Sequence, residues 1–274
     1  MIKHYLKVAF RNLIKYKTQS LVSIIGLAVG FTCFALSVLW IRYEMTYDNF
    51  HEGADRIYLV RAHYANEPGT SKFTPYPLMK YLQDKMPEIE AVTAFTAHYV
   101  KFRMEDTEQE IGMIAADSVF MNFFDIQLLK GTVNFLKCDG QEVAITKEFA
   151  KRLFSKEEDA LGKEVEVGRR VCKIGAIVSG WSNHSNIPYN ILAPARHSPQ
   201  WGSSNEQLLI RVRERTDIDA FRTKMSTVCI NDIEKESELS DLLITRMSAL
   251  RYSDYVDKAD VVISFSYIFY LFIS

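Results

Sequence analysis

From Leu21 to Ile41 the chain runs through twenty-one residues without a single charge. As an α-helix such a run is about 31 Å long, matching a bilayer hydrocarbon core of about 30 Å. A buried helix of a soluble domain rarely stays uncharged for that length. A cleaved signal peptide has an apolar core of about 7–15 residues followed by a small-x-small site. Here the run is longer and ends in "SVLWIRYEM", with no such site. The segment therefore reads as an uncleaved anchor, with a transmembrane helix over 20–41.

Charge sets its direction. Residues 1–20 contain Lys3, Lys7, Arg11, Lys15 and Lys17 and no acid, a charge of +5, while the rest of the chain carries −6. Positive flanks stay on the cytoplasmic side, which puts residues from 42 onward outside. Ile2, Leu6, Ala9, Phe10 and Leu13 recur at helical spacing, so residues 1–19 read as a basic amphipathic helix on the inner, anionic bilayer surface. Trp40, Tyr43 and Tyr47 suit the outer interface. No basic patch with interleaved aromatics follows, which argues against nucleic acid as a partner. Within the span, Ser23, Gly26, Gly30, Cys33 and Ser37 repeat at spacings of three and four. They form a small-residue stripe against which another helix backbone could pack.

A second apolar stretch, "VVISFSYIFYLFIS", occupies Val261 to Ser274. At about 21 Å it is too short to cross, and it reads as the start of a second span over 260–274. Residues 42–259 would then form one extracytoplasmic domain. Its β-rich stretches are "RIYLVRAHYA", "EAVTAFTAHYVKFRM", "QEIGMIAA", "EVAIT", "KEVEVGRRVCKIGAIVS" (a hairpin turning near Gly168), "EQLLIRVR" and "DLLITRMSAL". Its helices are "PYPLMKYLQDKMPEI" with Pro77 near the start, "DSVFMNFFDI" opened by Asp117 or Ser118, "KEFAKRLF" and "DIDAFRTKMSTVCINDIEKES". The order β-α-β … β-α-β with a strand-rich middle implies an α+β class: a mixed α/β domain of βαβ units holding an inserted lobe at roughly 98–200.

Candidate chemistry is sparse. Cys33, Cys138, Cys172 and Cys229 form no CxxC pair, so a zinc site is not indicated, and one disulfide at most is open to the last three. In "DNFHEGADRIYLV", Phe50, Ala54 and Ile57 fall at i, i+4, i+7, with Asp48 as a helix N-cap. His51 and Asp55 would share another face of that helix and could in principle chelate a metal. The second His of an HExxH motif is missing, so a solvated helix joining span to strand is the better reading, with Arg56 paired to an acid such as Glu52. "GWSNHSNIPYNILAP" offers Ser182, His184 and Ser185 but lacks a nucleophile elbow, and it reads as a turn before a strand. "LGKEV" lacks the glycines of a phosphate loop. No catalytic constellation, cofactor site or metal site emerges.

Several local patterns agree with one family. "YLKVAFRNLIKYK", "IIGLAVG", "YDNFHEGADRIYLV", "PLMKYLQDKMPEIEAV", "ADSVFMNFFDIQLLKG", "VAITKEFAKRLF", "ALGKEV" and "HSNIPYNILAP" occur in the family's order. On them the chain resembles the FtsX-like permeases of ABC transporters, its outer region similar to a MacB-type periplasmic core domain. The resemblance implies a non-enzymatic permease subunit in the bacterial inner membrane, N-terminus cytoplasmic and main domain periplasmic. It implies a cytoplasmic ABC ATPase and a second permease copy as partners, with a periplasmic adaptor or effector beyond them. ATP turnover in the partner would drive motion of the outer domain, for export or mechanotransmission. Members have at least four spans, so the chain reads as an N-terminal fragment. The alternative is an anchored extracytoplasmic sensor or binding module.

Overall fold

The computed structural model describes residues 2–65, 68–104, 107–137, 141–233 and 238–250. The expected span over 260–274 and Cys138 lie outside them. Two compact units are distinguished, 1–46 and 47–274.

The first unit is helical: α1 (Ile2–Lys15) and α2 (Lys17–Glu44). Helix α2 starts three residues ahead of the expected span boundary at residue 20. It is the one described helix long and apolar enough to cross a membrane, with a mean hydropathy of 2.3. Two of its hydroxyls turn back on the helix itself, Thr32 onto the Ala28 carbonyl and Ser37 onto that of Cys33, both at 2.8 Å. Such bonds satisfy a hydroxyl where no water is at hand. Ser23, Gly26, Gly30 and Cys33 are exposed along α2 and Ser37 is half-buried.

The second unit begins with turns and a single 3₁₀ turn, Ala54–Arg56, leading into β1 (Ile57–Tyr64). There follow β2 (Thr70–Ser71), β3 (Thr74–Pro75), α3 (Pro77–Lys85), β4 (Ile89–Met104) and β5 (Thr107–Ala116). Next come α4 (Ser118–Phe123), β6 (Leu128–Gly131), β7 (Glu142–Thr146) and α5 (Lys147–Leu153). Then come β8 (Glu164–Val167), β9 (Arg170–Val178), β10 (Ile191–Pro194), β11 (Ser204–Val212), α6 (Ile218–Ile233) and β12 (Leu239–Arg246).

One path of strands, β12-β1-β11-β4-β5-β10-β7-β9-β6, runs through the whole unit. Strands β1, β4, β11 and β12 pair antiparallel in the order 12-1-11-4, with α3 after β1 and α6 after β11. This is the split β-α-β arrangement of ferredoxin-like folds. Strands β5 to β10 are inserted between its second and third strands, as the sequence order implied. The insertion is knitted by two parallel pairings, β5 with β10 and β7 with β9.

The first six residues of β1 are all buried. Alternation is lost there because both faces are covered. Tyr58, Val60 and Ala62 pack with Leu78 and Leu82 of α3 and with Phe221 and Met225 of α6. Ile57 and Leu59 pack on the opposite side with Phe95, Phe120, Phe123, Met247 and Leu250. A third core, inside the insertion, gathers Phe102, Ile145, Phe149 and Ile174. Helix starts are chemically marked: Asp117 accepts from the Val119 and Phe120 amides, and Thr146 from that of Phe149. Pro77 opens α3, where its missing N–H costs nothing.

Candidate functional site: the junction at the start of the domain

The stretch Tyr47–Ile57 departs from its helical reading. Asp48 has φ of +58° and Gly53 φ of +66°. Two left-handed residues so close together cannot belong to one α-helix. The apolar spacing of Phe50, Ala54 and Ile57 has a different origin. Ala54 and Ile57 are buried, whereas Phe50 is 44% exposed. Asp48 is not an N-cap at all.

Asp48 is fully buried. Its backbone N–H donates to the His184 carbonyl at 3.2 Å. Its carboxylate accepts from the Ser185 hydroxyl, from the Asn186 N–H at 3.0 Å and from Asn186 Nδ2 at 2.6 Å. Burial raises the Asp48 carboxyl above its ordinary value, and the donors from Ser185 and Asn186 pull against that rise. Asn186 Nδ2 also donates to the Met247 carbonyl at 3.3 Å. Met247 opens the 3₁₀ turn that follows β12. One buried carboxylate thus ties the chain where it comes into the domain to the loop before β10 and, through Asn186, to the turn at the far end of β12. The turn reading of "SNHSN" holds for its backbone, but its side chains serve Asp48.

Around this clasp lies an aromatic layer. Tyr47 lies on the His184 ring, centroids 3.9 Å apart. Tyr47 is itself buried, so its expected place at a membrane interface is corrected: it belongs to the domain interior. His51 sits among Phe50, Phe124 and Trp181 at 4.2, 4.7 and 4.9 Å. Burial, aided by the Arg211 charge, lowers its pKa to about 4. Arg211 is held by a 2.6 Å bond to the Phe123 carbonyl and lies over the Phe123 ring. Trp181 fixes the loop by donating Nε1–H to the Ile187 carbonyl at 3.0 Å.

The remaining residues of the stretch point elsewhere. Asp55 is exposed. Arg56 pairs with Glu90 of β4 at 2.6 Å and donates to the Val212 carbonyl, so its partner is a strand residue and not Glu52. Among the described residues no group of three His, Cys, Asp or Glu side chains is placed to hold a metal ion. Ser185 gives its proton directly to Asp48 and accepts the Ile187 N–H, and it is 4% exposed. The hydroxyl is therefore enclosed and occupied, an arrangement suited to holding and not to attack.

The profile of the MacB-like periplasmic core domain family matches residues 20–228, most of the chain. The chain belongs to this family. That match takes in most of α2, the junction, the inserted lobe and the β-α-β part as far as α6. The fold agrees with solved structures at low identity. A domain of a permease protein from Porphyromonas gingivalis superposes with a TM-score of 0.57 at 19% identity, covering 72% of this chain and 92% of that one. The periplasmic region of MacB from Actinobacillus actinomycetemcomitans gives 0.50 at 12% identity, covering 73% and 93%. The extracellular domain of the ABC-type transporter YknZ from Gram-positive bacteria gives 0.50 at 14% identity, covering 69% and 99%. No curated protein sequence matches the chain. Residues such as Asn186 and Met247 were not singled out from the sequence. The sequence offers a donor-rich Ser-Asn step there, but Glu44, Asp48, Glu52 and Asp55 all follow the apolar run, and nothing local selects Asp48 among them.

Proposed function

We propose that this member of the MacB-like family is the permease subunit of an ABC transporter, anchored by α2 with its N-terminus in the cytoplasm. The domain from residue 42 to 259 stands outside the inner membrane. ATP hydrolysis belongs to a separate cytoplasmic partner, and the permease transmits that work to the outer domain for export or mechanotransmission. A second permease copy is a partner, and the small-residue stripe of α2 is where another helix packs, because Gly26 and Gly30 permit close backbone approach.

The match to the MacB-like periplasmic core domain family over residues 20–228 is the observation that carries this reading. A sensor or binding module needs only a tether at its N-terminus. A mechanically driven domain has to keep its own elements together when it is moved. Asp48 fastens the first residues of the domain to its interior: it is a buried acceptor for three donors, tied onward to the turn after β12. Buried charge-assisted bonds of this kind are costly to break.

The test is co-purification from the native membrane in mild detergent, followed by ATPase assay. The expected result is a bound nucleotide-hydrolysing subunit whose activity changes when this chain is present. Recovery of the intact chain without any such subunit, across several detergents, would favour the sensor reading.

A further inference from the structure

A second polar cluster lies away from the junction, where the chain returns from the inserted lobe. Residues 195–203 connect β10 to β11, and His197 is in this segment. Its imidazole Nδ1 is 3.2 Å from a Glu206 carboxylate oxygen, and Nε2 is 3.7 Å from one of Asp117. One ring face stacks on Tyr76, centroids 4.1 Å apart and planes within 6°. The His197 side chain is 13% exposed and that of Glu206 only 7%.

The partners come from different parts of the fold. Glu206 is on β11 of the β-α-β lobe, and Tyr76 directly precedes α3 of that lobe. Asp117 is the N-cap of α4, directly after β5 of the insertion. The return segment also touches the insertion through the Ala195 N–H on the Ala116 carbonyl at 3.1 Å.

The geometry sets the charge of the ring. A neutral imidazole carries one N–H, so between two carboxylates it would turn a lone pair toward one of them. An imidazolium presents an N–H to each. A buried carboxylate such as Glu206 is also held as an anion by a cation beside it. Burial opposes protonation, yet the Asp117 and Glu206 carboxylates outweigh it and raise the His197 pKa to about 9. The contacts are ion-pair distances without tight hydrogen-bond alignment, so charge carries the attraction.

We propose that His197 is an electrostatic pin: as an imidazolium between Asp117 and Glu206, seated on Tyr76, it locks the return segment and holds the inserted lobe in register with the β-α-β lobe. The pin is independent of any ATPase partner. Its contribution is complete below the ordinary imidazole value and is lost as pH rises through about 9. The titratable groups facing the ring are Asp117, Glu206 and the Tyr76 phenol, which burial raises, with the two carboxylates adding to the rise.

Hydrogen–deuterium exchange on the full chain in detergent micelles tests it, with protection corrected for intrinsic rates. At pH 7, His197→Gln should lose about tenfold protection across 195–203 and at the first α4 amides, while β7 and β9 keep theirs. His197→Arg keeps a planar, stackable cation and should stay within about threefold of the unaltered chain. Raising the pH to 10 should open the segment in the unaltered chain but not in His197→Arg, whose charge persists. Unchanged protection in His197→Gln, or equal loss at pH 10 in both the unaltered chain and His197→Arg, would overturn the proposal. Should His197→Gln unfold altogether, the pH comparison decides.

Discussion

Asp48 combines a left-handed backbone, complete burial and three donors on one carboxylate. Asp and Asn tolerate φ > 0 better than most residues, so Asp48→Asn keeps the backbone while replacing an acceptor oxygen with an N–H₂ that faces other donors. The expected loss is about 1–3 kcal/mol of domain stability by chemical denaturation, with Asp48→Ala costing more because it adds backbone strain. Equal stability of Asp48→Asn and the unaltered chain would show that the clasp does not hold the junction. His51 makes a separate prediction. Its folded pKa, about 4, lies below the ordinary imidazole value, so the unfolded chain takes up a proton first as pH falls. Stability should fall between roughly pH 6.5 and 4, by on the order of 3 kcal/mol at most. His51→Phe should flatten that stretch of the pH–stability curve. At this scale the sequence revealed residue types but not partners. Asp48 and Asn186 are 138 positions apart, and nothing local to "SNHSN" says which acid its donors will meet.

Elements with a strong local signal were legible. The β4–β5 hairpin carries ten consecutive paired positions, Phe95 with Ala116 through Met104 with Thr107, and its alternation announced it. The β8–β9 hairpin turns at Gly168, whose φ is +65°. The Asp117 cap was visible as an acid ahead of an apolar stretch. The stretch 48–57 misled because three apolar residues at i, i+4, i+7 also fit a turn followed by a strand, and the backbone reversals at Asp48 and Gly53 decide between them. The parallel pairings of β10 and β9 join distant segments, and no periodicity encodes them. One position tests how tightly the loop before β10 is bound. A Cβ built on Gly112 of β5 would stand 2.4 Å from the Pro188 carbonyl oxygen, a backbone atom that cannot turn aside. Gly112→Ala should displace the 187–190 segment and cost about 1–3 kcal/mol, as overpacking does. A melting temperature unchanged from that of the unaltered chain would show that the loop yields freely.

For the molecule as a whole, the β-α-β order, the inserted lobe and the long apolar helix were all readable, because each rests on element order or composition and not on contacts. Function followed less directly. The fold and the family assign the chain to a class of permease domains, while movement of the outer domain belongs to the proposal. The proposed motion can be measured as a distance. With the four native cysteines replaced by serine, a spin label at Leu243→Cys, an exposed β12 position, reports the separation of the two proposed copies in lipid nanodiscs together with the proposed ATPase partner. The account predicts a distance distribution that shifts between the nucleotide-free and ATP-trapped states, and a smaller shift when Asp48→Asn loosens the junction. Identical distributions in the two nucleotide states would contradict it.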